Sequence, residues 1–524
     1  MSPTFLDVGI ASGCVALYLV IRYVQYLREP IRSVCCAPRE DAHWLWGHEF
    51  SVWKEEVSKK YLEWTSILGP VYRIKAPFFQ RDVLVAGDNA SSSHVLQNAY
   101  RYEKAPAFLP ITVKLVGRGV VWAHGDVHKH QRRLISPAFT VSAVRGMQDD
   151  VSECAEKLVA GIKKTIHARN DESITTNIEP LVASATLDIV GRIAFGHDFC
   201  NGESSEAKAI SEAWHKDVKM GRTMAGFLAP VVIGAFPFIN HLPIPALQKD
   251  GVTKTIALKI AADMLKEHRA REKVDGEGRD MLSILVRDQL NRKGEDALED
   301  WELLENISTF IMVGHETTSC SVIFTLLELA RHPEVQWKLR QELQELNEFT
   351  PDNISNLPYL DAVTKEGLRM HAASPRTDRI ALVDDVIPLS KPMTTTSGEK
   401  ITSIPIKAGQ IIQIPTGCIN LNPDVWGRDA GQFQPERFIT PGGLPAVDQL
   451  PHGPYGNSGT FIEGPRTCIG WRLAVMEFKV LLAHLVRDLV FEDTGKRVEE
   501  YIAGTLQAFC EGEAAHLPLK ISLA

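Results

Sequence analysis

Cys468 stands in the run Phe461-Ile462-Glu463-Gly464-Pro465-Arg466-Thr467-Cys468-Ile469-Gly470, a loop punctuated by Gly and Pro with a basic residue two positions before the thiol. Glycine on either side lets backbone approach a bulky group. Nearby N–H groups and the start of a following apolar helix, Trp471 to Leu482, stabilise negative charge. The setting favours a thiolate, a good ligand for a soft metal centre, and haem iron held by cysteine is one of the few ways a protein activates dioxygen. Read alone, the run also describes an inert buried cysteine in a turn.

A second group is Gly314-His315-Glu316-Thr317-Thr318, an acid and two hydroxyls inside an apolar stretch. A Thr hydroxyl competes for a backbone carbonyl, so Gly314 and the threonines are expected to open a helix locally and leave a groove for water or dioxygen. A satisfied polar cluster in a core helix is the bland alternative. Glu366 and Arg369 form an i,i+3 pair and share a helix face. Arg132, His128, Arg379 and Arg466, each read by itself, are solvated surface residues.

The elements that must position these groups are mostly helices. Trp301 to Ala330 runs without proline, enough for a helix of roughly 45 Å, with Leu303, Ile307, Phe310, Ile311, Leu326 and Leu327 at helical spacing. The chain has 524 residues, 44% of them hydrophobic, and no linker convincing enough to divide it. The polar stretches Lys273 to Asp280 and Asn291 to Asp300 read as surface loops of one domain. A net charge of -8 without basic blocks argues against nucleic acid as a partner. Nine scattered cysteines without CxxC pairs suit a reducing compartment and argue against zinc or disulfide frameworks.

Val8 to Ile21 carries no charge; Arg22, Arg28 and Arg32 follow it, and no Lys or Arg precedes it. Residues 1–30 are read as a membrane anchor, with the N-terminus luminal and residues 31–524 on the cytosolic side. The uncharged run falls short of the roughly 20 residues of a full span, so a crossing must tolerate Asp7 or a snorkelling Arg22. A cleaved signal peptide fits less well, because the basic residues lie on the wrong side for its n-region.

The pattern F-x-x-G-x-R-x-C-x-G resembles the haem-binding loop of the cytochrome P-450 family, and the other motifs follow in that family's order. Gly314 to Thr318 resembles its oxygen-binding segment A/G-G-x-D/E-T-T/S, with Val313 where a small residue is usual. Glu366 and Arg369 match E-x-x-R, and Pro435-Glu436-Arg437-Phe438 matches the companion motif. Gly125 to Arg133 resembles the W-x-x-x-R helix, with His128 where tryptophan is common, a variant resembling fungal members.

The resemblance implies a mainly α cytochrome P-450 fold with a smaller β-rich region, holding haem b through Cys468. It implies His128, Arg132, Arg379 and Arg466 toward the haem propionates, and Glu366, Arg369 and Arg437 as a buried supporting network. Thr317 would contact the oxygen being activated and Glu316 would relay protons to it. Electrons would come from NADPH through a cytochrome P-450 reductase, with cytochrome b5 as a second donor, in the endoplasmic reticulum membrane. Lys129, His130, Arg133, Arg472 and Lys479 are the expected docking face.

The implied reaction inserts one atom of dioxygen into a C–H bond of a lipophilic molecule. The candidate pocket walls (108–121, 310–311, 374–378 and 501–506) are mostly apolar, which points to a terpenoid or other secondary metabolite, with fatty acids and aromatic xenobiotics as alternatives. A reductase-independent haem-thiolate isomerase or dehydratase needs no proton relay for dioxygen, so Glu316 and Thr317 argue against it. A non-catalytic haem sensor needs neither the relay nor a docking face.

Overall fold

The computed structural model describes residues 29–169, 171–241, 250–272, 280–291 and 297–524. Short β-branched runs make its main sheet: β1 (Val71–Ile74), β2 (Val83–Ala86), β3 (Tyr102–Lys104), β4 (Thr377–Ala381) and β5 (Ile411–Ile414), in the order β1-β2-β5-β4-β3. Only the β2–β5 pair is parallel. A hairpin of β6 (Val498–Ala503) and β7 (Thr505–Cys510) lies apart from this sheet, and the Leu506 N–H donates to the Ala373 carbonyl over 2.9 Å.

The helices that build the site are α1 (Gly125–Ile135), α2 (Gln148–Arg169), α3 (Glu179–Phe195), α4 (Ser205–Gly221), α5 (Val252–Glu272), α6 (Asp300–Arg331), α7 (Pro358–Met370) and α8 (Trp471–Asp488). Helix α6 is the axis of the molecule and packs against α3, α5, α7 and α8. Its start is fixed by reciprocal capping: Glu299 and Glu302 each accept from the other's backbone N–H. No proline interrupts its 32 residues.

The expected opening of this helix at Gly314 to Thr318 does not occur. The Thr317 hydroxyl donates to the Val313 carbonyl over 2.8 Å and the Thr318 hydroxyl reaches that of Gly314 at 3.5 Å, yet the helix continues through both. A carbonyl has two lone pairs, so the hydroxyl adds a bond without displacing the helical one. Gly314 instead serves close approach, because a Cβ there would lie 2.8 Å from Cγ2 of Val190 on α3.

One apolar core runs through α2, α3, α6 and α8, and separate clusters lie under the sheet. Helix α6 is the one described helix long and apolar enough to cross a membrane, and with 83% of its apolar window buried it is a core helix. The anchor expected at residues 1–30 lies almost entirely outside the described residues.

Candidate active site

The backbone holds Cys468 in place: its N–H donates to the Phe461 carbonyl over 3.0 Å, and the Thr467 N–H donates to that of Gly464 over 3.0 Å. The turn requires Gly464, which has φ +74° and where a Cβ would meet the Leu96 carbonyl oxygen at 2.4 Å. Cys468 is surrounded by protein yet keeps accessible surface, as a residue lining an internal depression does. That enclosure raises its thiol above the ordinary value, against the Gly470 N–H and Arg132, which lower it. Desolvation outweighs them, and a metal cation at sulfur is what deprotonates such a thiol.

Around this loop the fold gathers cations from four places in the chain. Lys104 and Arg379 are cross-strand partners of β3 and β4. Arg132, one turn after His128 on α1, donates to the Thr467 carbonyl beside Cys468. Arg466 donates to the Ala123 carbonyl over 2.9 Å and lies 2.6 Å from Glu103. Glu103 also takes His124 at 2.9 Å and the Gly125 N–H at 3.0 Å, which fixes the start of α1.

Electrostatics shows a surplus of positive charge here. Burial, then Arg466, pushes Arg379 down to about 10, and burial with Arg466 and Arg379 pushes Lys104 well below its ordinary value. His128, with Nδ1 3.1 Å from the Tyr100 hydroxyl, is driven down to about 3 by burial, then Arg466, Lys104 and Arg132; it is neutral at physiological pH. Burial acts to raise Glu103, but His124, the Gly125 N–H and Arg466 outweigh it and hold the carboxyl at about 2. The Nε of Arg379 and that of Arg466 have no hydrogen-bond partner. A buried surplus of guanidinium and ammonium donors beside an accessible cysteine fits haem, whose iron takes the sulfur and whose two propionates take the donors.

The supporting network is as the sequence implied. Glu366 accepts from Arg369 twice at 2.8 Å, from Arg437 at 2.9 Å and from the Gln434 N–H at 2.9 Å. Arg369 also donates to the carbonyls of Asn420 and Ala430, tying α7 to the segment before the cysteine loop.

Between Asn306 and Ala330 on α6, only Val313, Gly314 and Thr317 are not buried. Val313 and Thr317, at i and i+4, form one partly open strip, while Gly314 faces Val190 of α3. Glu316 does not share it. Its carboxylate lies 3.3 Å from His315 Nε2 and 3.4 Å from Gln507, at the foot of a cavity of about 140 Å³ lined also by Glu179, Glu212 and His215. The acid and the alcohol of the motif thus face different surroundings.

Lys479 does not belong to the expected docking face. It is buried, 2.6 Å from Asp361 and 3.0 Å from the Ser355 carbonyl, because its position on α8 faces the core. Lys129, Arg133 and Arg472 are exposed; Lys129 lies 4.6 Å over the Tyr100 ring and Arg472 4.3 Å over that of Trp471. Of the candidate pocket walls, Ile311 is fully buried, and Arg376 and Asp378 bring charge, with Arg376 3.0 Å from Glu49.

Several residues of the site were not singled out from sequence. Lys104 and Glu103 owe their place to strand register. Glu477 on α8 is buried with Oε1 unpartnered, and burial holds it well above the usual carboxylate range against a hydrogen bond from Thr318. An acid in an otherwise apolar helix was the available signal for it.

A family model described as Cytochrome P450 matches residues 38–507. The chain is similar to cytochrome P450 monooxygenase 205 of Postia placenta, 29% identical over 509 residues, 93% of this chain and 91% of that one. It is likewise similar to the cytochrome P450 monooxygenases claQ and claP of Ampulloclitocybe clavipes, each 30% identical over 88% of both chains.

Proposed function

This chain belongs to the cytochrome P450 family and is a monooxygenase, and from that premise we propose that it hydroxylates a lipophilic small molecule, a terpenoid or related secondary metabolite. The electrons come from NADPH through a flavoprotein reductase, and the enzyme works at the endoplasmic reticulum membrane with its catalytic part in the cytosol. The uncharged run from Val8 to Ile21 followed by arginines supports the location. Exposed Lys129, Arg133 and Arg472 support docking of an acidic partner, since complementary charge raises encounter rates.

The observation that carries the reading is the partly open strip of Val313 and Thr317 on α6, in a fold that also presents Cys468 amid a cluster of cations. Haem bound through Cys468 supplies the redox chemistry that activates dioxygen. Arg132, Arg379, Arg466 and Lys104 would hold its propionates. Thr317 commits its hydroxyl hydrogen to Val313, so its oxygen offers lone pairs to the open strip. Glu316 keeps its carboxylate in contact with His315, on the side of α6 away from Thr317. Thr318 and Glu477 join α6 to the helix that follows the cysteine, which fixes the strip relative to Cys468. Apolar residues of the helix Phe108–Leu115, half-buried or exposed, favour an apolar substrate.

The test is product formation in reductase-supplemented membranes with NADPH and isotopically labelled dioxygen, across terpenes, fatty acids and simple aromatics. A terpene product carrying one labelled oxygen is expected. A labelled product from fatty acids or aromatics alone would reassign the substrate class.

A further inference from the structure

Two acid–imidazole pairs share the cavity behind Glu316. At its foot His315 Nε2 lies 3.3 Å from Glu316 Oε1, and these residues are 3% and 4% exposed. The His315 Nδ1 is 2.6 Å from the Ile311 carbonyl, so its hydrogen is committed there. In a neutral ring Nε2 then carries no hydrogen, and its contact with a carboxylate needs a proton between them. Further out, His215 Nε2 on α4 lies 3.4 Å from Glu179 Oε2 on α3. Glu179 is buried while His215 is partly exposed, and Lys208 and Glu212 at the cavity mouth face solvent.

We propose that Glu179 and His215 form a solvent-side proton station that recharges the His315–Glu316 pair, with His315 as the reservoir from which Glu316 is reprotonated. The proposal rests on the reading of Glu316 as the proton-delivering acid. For each proton that leaves the His315–Glu316 pair through Glu316, one crosses from His215 to the pair and one enters His215 from solvent; no electron moves. The gap between the pairs is wide enough for bridging water, since the cavity of about 140 Å³ is many times the roughly 10–15 Å³ that one molecule needs. Glu316 and His315 both act electrostatically on Glu179, as groups facing one cavity do. The His215 imidazole is raised by its bond to Glu179 and by Glu316, against burial and Lys219. These are positioning residues, because they act through Glu316.

Hydrogen–deuterium exchange of the proton shared by His315 and Glu316 tests this in the resting haem-loaded protein. It is read as the infrared band lost in Glu316→Gln. His215→Phe and Glu179→Gln should each slow that exchange by roughly tenfold or more, and the titratable His215→Glu should restore it. In turnover the slowed variants should release more peroxide per NADPH, as is also expected of Thr317→Ala. If His215→Phe fails to bind haem, Glu179→Gln carries the test. Unslowed exchange in Glu179→Gln, with Thr317→Ala still leaking peroxide, overturns the relay and leaves the monooxygenase reading standing. Tight coupling in both Thr317→Ala and Glu316→Gln overturns the relay together with the role of Glu316.

Discussion

Lys104 carries opposite consequences in the presence and absence of haem. Without an anion beside it, its partly buried ammonium stands against Arg379 and Arg466, and the repulsion is a cost to the fold. With propionates in place it is a charge-assisted donor, worth roughly 1.5–3 kcal/mol. Lys104→Met is therefore expected to raise the denaturation midpoint of the haem-free protein while speeding haem loss to a scavenger protein by roughly tenfold or more, since about 1.4 kcal/mol is a factor of ten. A decrease in both would mean that Lys104 only packs. Cys468, Arg466, Glu316 and Thr317 were legible in the sequence because each sits at fixed spacing within one local motif. Lys104 was not, because its role depends on standing opposite Arg379 in a sheet whose strands lie far apart in the chain. His215 and Glu179 were hidden for the same reason, being brought to Glu316 by the packing of α3 and α4 rather than by sequence neighbourhood.

Two junctions decide how the helices hold together. The first is the Glu366, Arg369 and Arg437 network, all within 5% of full burial. Removing one partner strands a charge in the core, which costs about 3–5 kcal/mol. Arg437→Met should accordingly lower the unfolding free energy by that amount and reduce the yield of haem-loaded protein. The second is His371, just past α7, which stacks on Phe324 of α6 at 5.2 Å and lies 3.0 Å from Glu500 and 3.6 Å from Glu328 in ion-pair contact. Burial acts to lower this imidazole, but the Glu500 and Glu328 carboxylates outweigh it and raise it to about 9. Because the folded value lies above the unfolded one of about 6.5, the stabilisation is fully present below pH 6.5 and is lost as pH rises toward 9. Its size is on the order of 3 kcal/mol. Denaturant midpoints should fall across that window in the wild type and lose that fall in His371→Gln. The helix spacing of Glu366 and Arg369 announced the first junction; nothing near His371 announced the second, whose carboxylates come from α6 and β6.

For the whole molecule the relevant quantity is charge placement against a net -8. The exposed cations Lys129, Arg133 and Arg472 belong to the cysteine loop's side of the fold through α1 and α8. Lys129→Glu combined with Arg472→Glu should raise the KM for reductase several-fold and flatten its dependence on salt, with the haem absorption unchanged. Lys479→Glu should instead destabilise the fold, because that residue ties α8 to Asp361.

The mainly helical architecture was legible from the long proline-free α6 and the motif order. The sheet was less so, since its strands are short and one pair is parallel, joining the first quarter of the chain to the last. That parallel pair also orders events during synthesis. β2 emerges from the ribosome long before β5, and Lys104 long before Arg379, Arg466 and Cys468. The nascent chain holds the first cation of the cluster with neither its strand partner nor the sulfur yet made. Haem capture by the assembled cluster therefore follows translation instead of guiding it, and a chain stalled before the cysteine loop is a substrate for quality control whatever the supply of haem.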